Sequence, residues 1–339
     1  MSDGNMAAER DNIDITVIIT AYNRKQFLKD AVKSVINQDF EKDHLEIVIV
    51  RNFVFDEDIE IIKSSNVRYK LIVEDLAVGK ALEKAINVSS GKILCFLDDD
   101  DLFLPGKLKW VDAEFRTVEK LVCLHNNFIV KDLSAGKEVI PMQFEEFTIS
   151  LVKIKSFSQL LNSFKKIHEI NGGFNLSCFS IKKMHVAKYL DLLSDVTNTT
   201  DGVILYLSLL TGDLVRFSSV VLNSYRFHFI ESTHSEYKWS EFAKKATQAN
   251  RKYNDLTSIL KAISPNNFLY KIVQADAAYW KIHSNNLSLN NNISAKEIFK
   301  FLTGEWPISS LRVKEFLYFL ITKLMPFRYV LEILSQNVP

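Results

Sequence analysis

Ile93-Leu94-Cys95-Phe96-Leu97-Asp98-Asp99-Asp100-Asp101 decides the fold. Five apolar residues read as a buried strand, and four carboxylates follow at its carboxyl end. Side chains alternate along a strand, which predicts Asp98 and Asp100 on one face and Asp99 and Asp101 on the other. Four adjacent anions repel one another unless a cation or hydrogen-bond donors lie close by. The carboxyl ends of strands are where open α/β sheets bind ligands, so the expected cation is a divalent metal carrying a phosphorylated ligand. Oxygen-only ligands select Mg²⁺ or Mn²⁺ over zinc. The plainer alternative is a solvated acidic loop ahead of a helix, since Pro105 suits a helix start.

Upstream of this stretch the pattern alternates. Strand-like segments at 13–20, 45–50 and 69–73 are separated by helical periods at 25–38, 56–64 and 77–88. In the first helix Phe27, Leu28, Ala31, Val32, Val35 and Ile36 mark one apolar face. Such a βαβαβαβ series implies an α/β fold with a doubly wound, mostly parallel sheet. Downstream, 105–118 reads as helix, 121–130 as strand, 141–166 as an irregular insertion and 174–181 as strand. Helices are expected at 182–193 and 200–211, a strand at 214–226, and an almost wholly helical region from 235 on. Breaks in that region fall at Ser264-Pro265, Asn285–Asn292 and Trp306-Pro307.

A chain of 339 residues holds one large α/β domain with an appendage, or two domains. A net charge of +1 gives no ground for nucleic-acid binding. The widely spaced Cys95, Cys123 and Cys178 fit reduced core thiols in the cytoplasm, with no disulfide framework or zinc site. Residues 1–12 are polar and charged, unlike a signal peptide, and read as a disordered start. No apolar run approaches the roughly 20 residues that span a bilayer.

Ala21-Tyr22-Asn23-Arg24 follows the first strand directly and so falls at the same sheet edge as the aspartates. A tyrosine ring can lie against a nucleobase, and a guanidinium can offset phosphate charge. Taken alone, these residues are equally well an ordinary polar turn. Together with Val17–Thr20, Ala31–Gln38, Gly91–Asp101, Pro105 and Leu108, they resemble the inverting family 2 glycosyltransferases of the GT-A fold. The likeness is strong over 13–110, patchy over 111–230 and absent beyond, so a GT-A domain at 13–234 and a helical C-terminal region at 235–339 are expected.

The resemblance implies a nucleotide-diphosphate sugar donor, Mn²⁺ or Mg²⁺, and a hydroxyl acceptor on a lipid-linked sugar, glycan or polysaccharide precursor. Asp100 is then the metal ligand, and Asp98 or Asp99 contacts the ribose or sugar. Asp201, in Thr199-Thr200-Asp201-Gly202, is the implied base that takes the acceptor proton, with Asp195 as fallback. Its other reading is a helix N-cap. His228 is the implied further metal or phosphate ligand, with His234 second. Ala21, Tyr22, Arg24 and Asn52 would hold the nucleotide. Two departures bear on its identity. The second strand ends Val50-Arg51-Asn52-Phe53 with no carboxylate before Asp56, leaving Asn52 to meet a base edge and Arg51 a phosphate. The usual Arg-Asn pair before Gly91 is missing, so Lys80 or Lys84 stands in for the arginine.

The segment Phe174–Ser180 falls by position on the acceptor side, with a plain core strand as the alternative. Near the end, 308–336 sets an apolar stretch among Arg312, Lys314, Lys323 and Arg328, which suits a peripheral membrane contact. Packing on the catalytic domain or on a sister subunit in a homodimer explains it as well. Two rival functions are a sugar nucleotidyltransferase and a non-catalytic subunit that binds a sugar or a partner. The first normally carries a Gly-rich basic loop after its first strand, and no glycine lies between Gly4 and Gly79. The second draws weight from the missing second-strand acid.

Overall fold

The structure, a computed structural model, describes residues 13–227 and 235–288. Residues 1–12, His228, His234 and the segment 308–336 lie outside the described residues, as does the Trp306-Pro307 break. The described chain divides into two units. One takes 13–153, 167–196 and 200–227, and the other takes 154–166, 197–199 and 235–288.

In the first unit β1 (Ile15–Ala21), α1 (Lys25–Ile36), β2 (Leu45–Arg51), α2 (Glu57–Ser64), β3 (Arg68–Val73), α3 (Val78–Val88) and β4 (Ile93–Asp98) follow the expected alternation. β1 and β2 are buried along nearly their whole length, as β-branched, apolar runs covered on both faces should be. Then come β5 (Leu102–Phe103), α4 (Lys107–Thr117), β6 (Leu121–Asp132), β7 (Lys137–Val139) and β8 (Phe147–Ile149). The helix α5 (Phe157–Glu169) is shared between the units. The unit closes with β9 (Phe179–Lys182), α6 (Lys183–Val186), α7 (Leu190–Ser194), α8 (Thr200–Leu210) and β10 (Leu214–Phe227).

The sheet order is β3-β2-β1-β4-β9-β6-β10-β5, with β7 on β6 and β8 on β10. β3, β2, β1 and β4 are parallel. β9 runs against both β4 and β6, while β10 is parallel to β6. The carboxyl ends of β6 and β10 therefore share the edge where β4 delivers its aspartates. Two glycines permit close packing in this unit. A Cβ on Gly79 of α3 would stand 2.1 Å from the Leu193 carbonyl oxygen, and one on Gly91 would stand 2.4 Å from the Thr16 amide.

Three local expectations change. The region 141–166 is not irregular throughout, since it holds β8 and most of α5. The expected strand 174–181 is shortened to β9 because Asn175 takes φ 67° and its side chain accepts from Ser177 N, opening a 3-10 turn at Leu176–Cys178. The helix expected at 182–193 is broken into α6, a 3-10 turn and α7.

The second unit is built on α9 (Ser235–Leu260) and α10 (Phe268–Ser288). Its apolar seam includes Ala249, Leu256, Ile259, Leu269, Ile272 and Val273, all buried. α10 runs on through Asn285–Ser288, where a break was expected. Asp255 on α9 accepts from the backbone amides of Thr197, Asn198 and Thr199, each at 2.9 Å. Among the described residues no helix is long and apolar enough to cross a membrane.

Candidate functional site

Parallel register sets the site. Ala21 lies opposite Arg51, and Thr20 lies opposite Asp98, so the ends of β1, β2 and β4 align. The strand alternation stops at Asp98, where β4 ends, and Asp99 and Asp100 form a turn. Asp98 and Asp100 therefore do not share a strand face as the sequence alone suggests. Both Asp99 and Asp100 instead pair with the Arg24 guanidinium. Asp99 closes the turn onto β1, donating its N–H to Thr20 O at 3.2 Å.

Asp101 faces inward. Ser177 Oγ donates to its carboxylate at 2.7 Å and accepts from Asp98 N–H at 3.0 Å, so one hydroxyl bridges both ends of the turn. Arg226 on β10 adds its own N–H to Asp101 at 3.2 Å. The Arg226 side chain donates to Asp100 O, to Asp99 O at 3.3 Å and to Phe27 O at 3.2 Å on α1. Beneath the turn the fully buried Lys107 donates to Ser177 O and Asn223 Oδ1, each at 2.6 Å.

Crowding shows in the proton affinities. Burial, and then the charges of Asp101, Asp100 and Asp99, hold the Asp98 carboxyl well above the usual carboxylate range. Burial pushes Asp99 up to about 7 against the pull of Arg24, and Asp101 up to about 6 against the Ser177 hydrogen bond. Lys107 is drawn down to about 8 by burial. Arg24 keeps its charge more firmly than usual, because Asp99 and Asp100 outweigh the cost of its burial. One carboxylate oxygen, Asp99 Oδ2, is buried without a partner.

The residues expected on the nucleotide side lie at the ends of β1 and β2, at the same edge. Asn23, at φ 58°, donates its N–H to Asn52 Oδ1 at 2.9 Å, and Asn52 Nδ2 donates back to Asn23 Oδ1 at 2.9 Å. Ala21 is buried, whereas the Tyr22 ring is 53% exposed. Arg51 does not face a phosphate site: it is buried, and its guanidinium donates to both oxygens of the buried Asp58 at 2.6 Å. Lys80 pairs with Glu83 on its own helix, and Lys84 pairs with Glu74. Asp201 lies inside the first turn of α8 rather than at its cap, half-buried, and accepts from Gly202 N–H at 2.8 Å. Asp195, at the end of α7, is exposed.

Sequence reading missed the supports. Ser177, Lys107, Asn223 and Arg226 are set by contacts 46 to 126 residues apart along the chain, and no local period announces such partners. A cavity of about 670 Å³ lies elsewhere, at the amino ends of β1 and β4, lined by Asp14, Gly91, Lys92, Arg116 and Met184 among others.

A family model described as glycosyl transferase family 2 matches residues 16–176. An uncharacterized glycosyltransferase, MJ1057, of Methanocaldococcus jannaschii is 32% identical over 120 residues, which cover 34% of this chain and 40% of that protein. Staphylococcus aureus TarS residues 1–349 in complex with UDP-GlcNAc share the fold at TM-score 0.56 and 14% identity, covering 86% of this chain and 79% of that one. The mannosyltransferase PcManGT of Pyrobaculum calidifontis, in complex with GDP-Man and Mn²⁺, does so at TM-score 0.50 and 13% identity, covering 91% and 86%. The matched segment takes in β1 through β4, the acidic turn 98–101 and Arg24, and over these residues the chain is similar to glycosyltransferase family 2.

Proposed function

We propose that this protein is a metal-dependent, inverting glycosyltransferase that moves a sugar from a nucleotide-diphosphate donor to a hydroxyl acceptor. One observation carries the reading: the acidic turn 98–101 stands at the carboxyl edge of the sheet beside Arg24 and the Asn23–Asn52 pair. Nucleotide sugars bound to TarS and PcManGT, which share the fold, support the donor class. The domain 13–234 would carry the reaction, in the cytoplasm, where the buried free thiols Cys95, Cys123 and Cys178 stay reduced.

The residues fit a divalent ion that the donor helps to hold. Among the described residues no group of three or more His, Cys, Asp or Glu forms a metal cage. Mg²⁺ commonly takes only one or two carboxylates and completes its shell with water and substrate phosphates. The unpartnered Asp99 Oδ2 and the mutual repulsion at Asp98 give such a cation something to relieve. Asp100 would hold it, with His228 as a further ligand. A divalent ion there supplies charge stabilisation to the departing nucleoside diphosphate.

The chain's own groups do the rest. Tyr22 and Asn52 hold the nucleoside over β1 and β2, and Arg24 turns part of its guanidinium from the carboxylates to the diphosphate. Asp98 or Asp99 accepts from ribose or sugar hydroxyls. Asp201 takes the proton of the acceptor hydroxyl as it attacks the anomeric carbon, so the new glycosidic bond forms opposite the breaking C–O bond. A binding subunit that kept the fold is the second reading, favoured by Arg51 being committed to Asp58 and Asn52 to Asn23.

Thermal melting with UDP-, GDP- and dTDP-sugars, with and without Mn²⁺, separates the readings. Stabilisation by one nucleotide class, followed by release of its nucleoside diphosphate on turnover, is the expected result. Stabilisation without turnover of any donor supports the subunit, and silence throughout overturns the donor reading.

A further inference from the structure

Three aromatic rings form a wall on the side of the acidic turn away from the nucleotide residues. Phe128 comes from β6, Tyr225 from β10, and Phe174 from the loop before β9. The Phe174–Tyr225 centroids are 5.3 Å apart and edge-on, Phe128–Phe174 are 5.8 Å apart and Phe128–Tyr225 are 6.3 Å apart. Such a cluster ordinarily sinks into a core. Phe128 does so at 3% exposure, yet Phe174 leaves 41% of its surface open.

The exposed ring is held firmly. Phe174 donates its N–H to Asn171 O at 2.9 Å, and its carbonyl accepts from His125 Nε2 at 3.1 Å. The next residue, Asn175, starts the 3-10 turn whose Ser177 grips Asp98 and Asp101. Tyr225 precedes Arg226, which binds the same turn, and the charges of Asp101, Asp100 and Asp98 reach the Tyr225 hydroxyl. The wall and the carboxylates thus share their supports. Strand order sets its side, since β1 and β2 lie to one side of β4 and β9, β6 and β10 to the other.

We propose that the open face of Phe174 stacks on the pyranose ring of the acceptor, so that the acceptor is a glycoside and not an open-chain polyol. A pyranose presents a face of C–H groups that packs on an aromatic ring, while its hydroxyls point outward to hydrogen-bonding groups. An acidic turn beside an apolar ring matches both needs. An acyclic chain has no such flat face to offer. The inference rests on the donor reading above, because the nucleotide must fill the β1–β2 side for the acceptor to take this one.

The test uses the full chain with UDP, GDP or dTDP and Mn²⁺, and the methyl pyranosides of glucose, galactose, mannose and N-acetylglucosamine, with ribitol as the open-chain control. Saturation-transfer NMR on the pyranoside ring protons reads binding, and nucleotide affinity is measured on the same samples. Transfer to at least one pyranoside and none to ribitol is expected. Affinity should fall about tenfold in Phe174→Ala and be kept in Phe174→Trp, with nucleotide affinity unchanged in both. Pyranoside binding that survives Phe174→Ala, or no pyranoside binding beside a bound nucleotide, overturns the wall. Pyranoside binding sensitive to Phe174 with no nucleotide bound keeps the wall and rejects the donor reading instead.

Discussion

The Ser177 hydroxyl donates a hydrogen bond to Asp101 and accepts one from the Asp98 amide, so its removal takes one hydrogen bond from each of two buried groups, leaving Asp101 its bond from the Arg226 amide. Ser177→Ala should therefore cost about 1–3 kcal/mol, read as a lowered urea midpoint. Asp100 is in a different position, half-buried and facing Arg24. Asp100→Ala should keep the fold but remove the Mn²⁺ dependence of nucleotide affinity. Titration calorimetry checks this, and an unchanged Mn²⁺ effect would move the metal elsewhere. Asp201→Asn should bind donor normally and lose about 10²- to 10⁴-fold in kcat; near-wild-type turnover would show that another group takes the proton. These residues differ in how readable they were. Asp100 stands in a run that announces itself, whereas Ser177 sits in an apolar stretch whose partner lies 76 residues away.

The elements of the first hundred residues were legible because their periods are clean and most are buried as their pattern requires, the half-exposed β3 apart. β1 and β4 show continuous apolar runs, and α1 buries Leu28, Ala31, Val32 and Val35 on one face. Past residue 130 the signals weaken. β7 has three exposed residues, and β8 has three residues of which only Ile149 is buried, too little for a period to emerge. The contact of α3 with α7 was equally hidden, because a glycine's neighbours are not written beside it. Gly79 donates its N–H to Val196 O at 3.0 Å, and an added Cβ would meet two carbonyl oxygens at 2.1 and 2.4 Å. Backbone cannot step aside as a side chain can, so Gly79→Ala should destabilise by about 1–3 kcal/mol or more. A melting temperature equal to the wild type's would mean that α7 shifts freely.

At the scale of the whole molecule, stability should carry a signature of His125. This imidazole is buried between Phe179 and Phe217, donates from Nε2 to Phe174 O, and has no partner at Nδ1. Burial holds its pKa down to about 4, from 6.5 when free. Below 6.5 the unfolded chain takes up a proton that the native state refuses, so this contribution is fully present above that pH and is lost on the way down to about 4. It amounts to roughly 1–3 kcal/mol. Replacing the ring by His125→Phe should flatten the fall in unfolding free energy between pH 6.5 and 4, relative to the wild type. Identical slopes in the two proteins would show that His125 is protonated inside the fold.

Arg226 joins α1, the acidic turn and its own strand β10 through one guanidinium. The acidic run and Arg24 are translated well before Arg226, which follows Asp101 by 125 residues. A nascent chain halted before β10 would hold every carboxylate of the cluster, with the Ser177 and Thr20 contacts but without the Arg226 bonds to the carbonyls of Asp99 and Asp100. The acidic turn therefore reaches its full set of hydrogen bonds only once β10 has paired with β6.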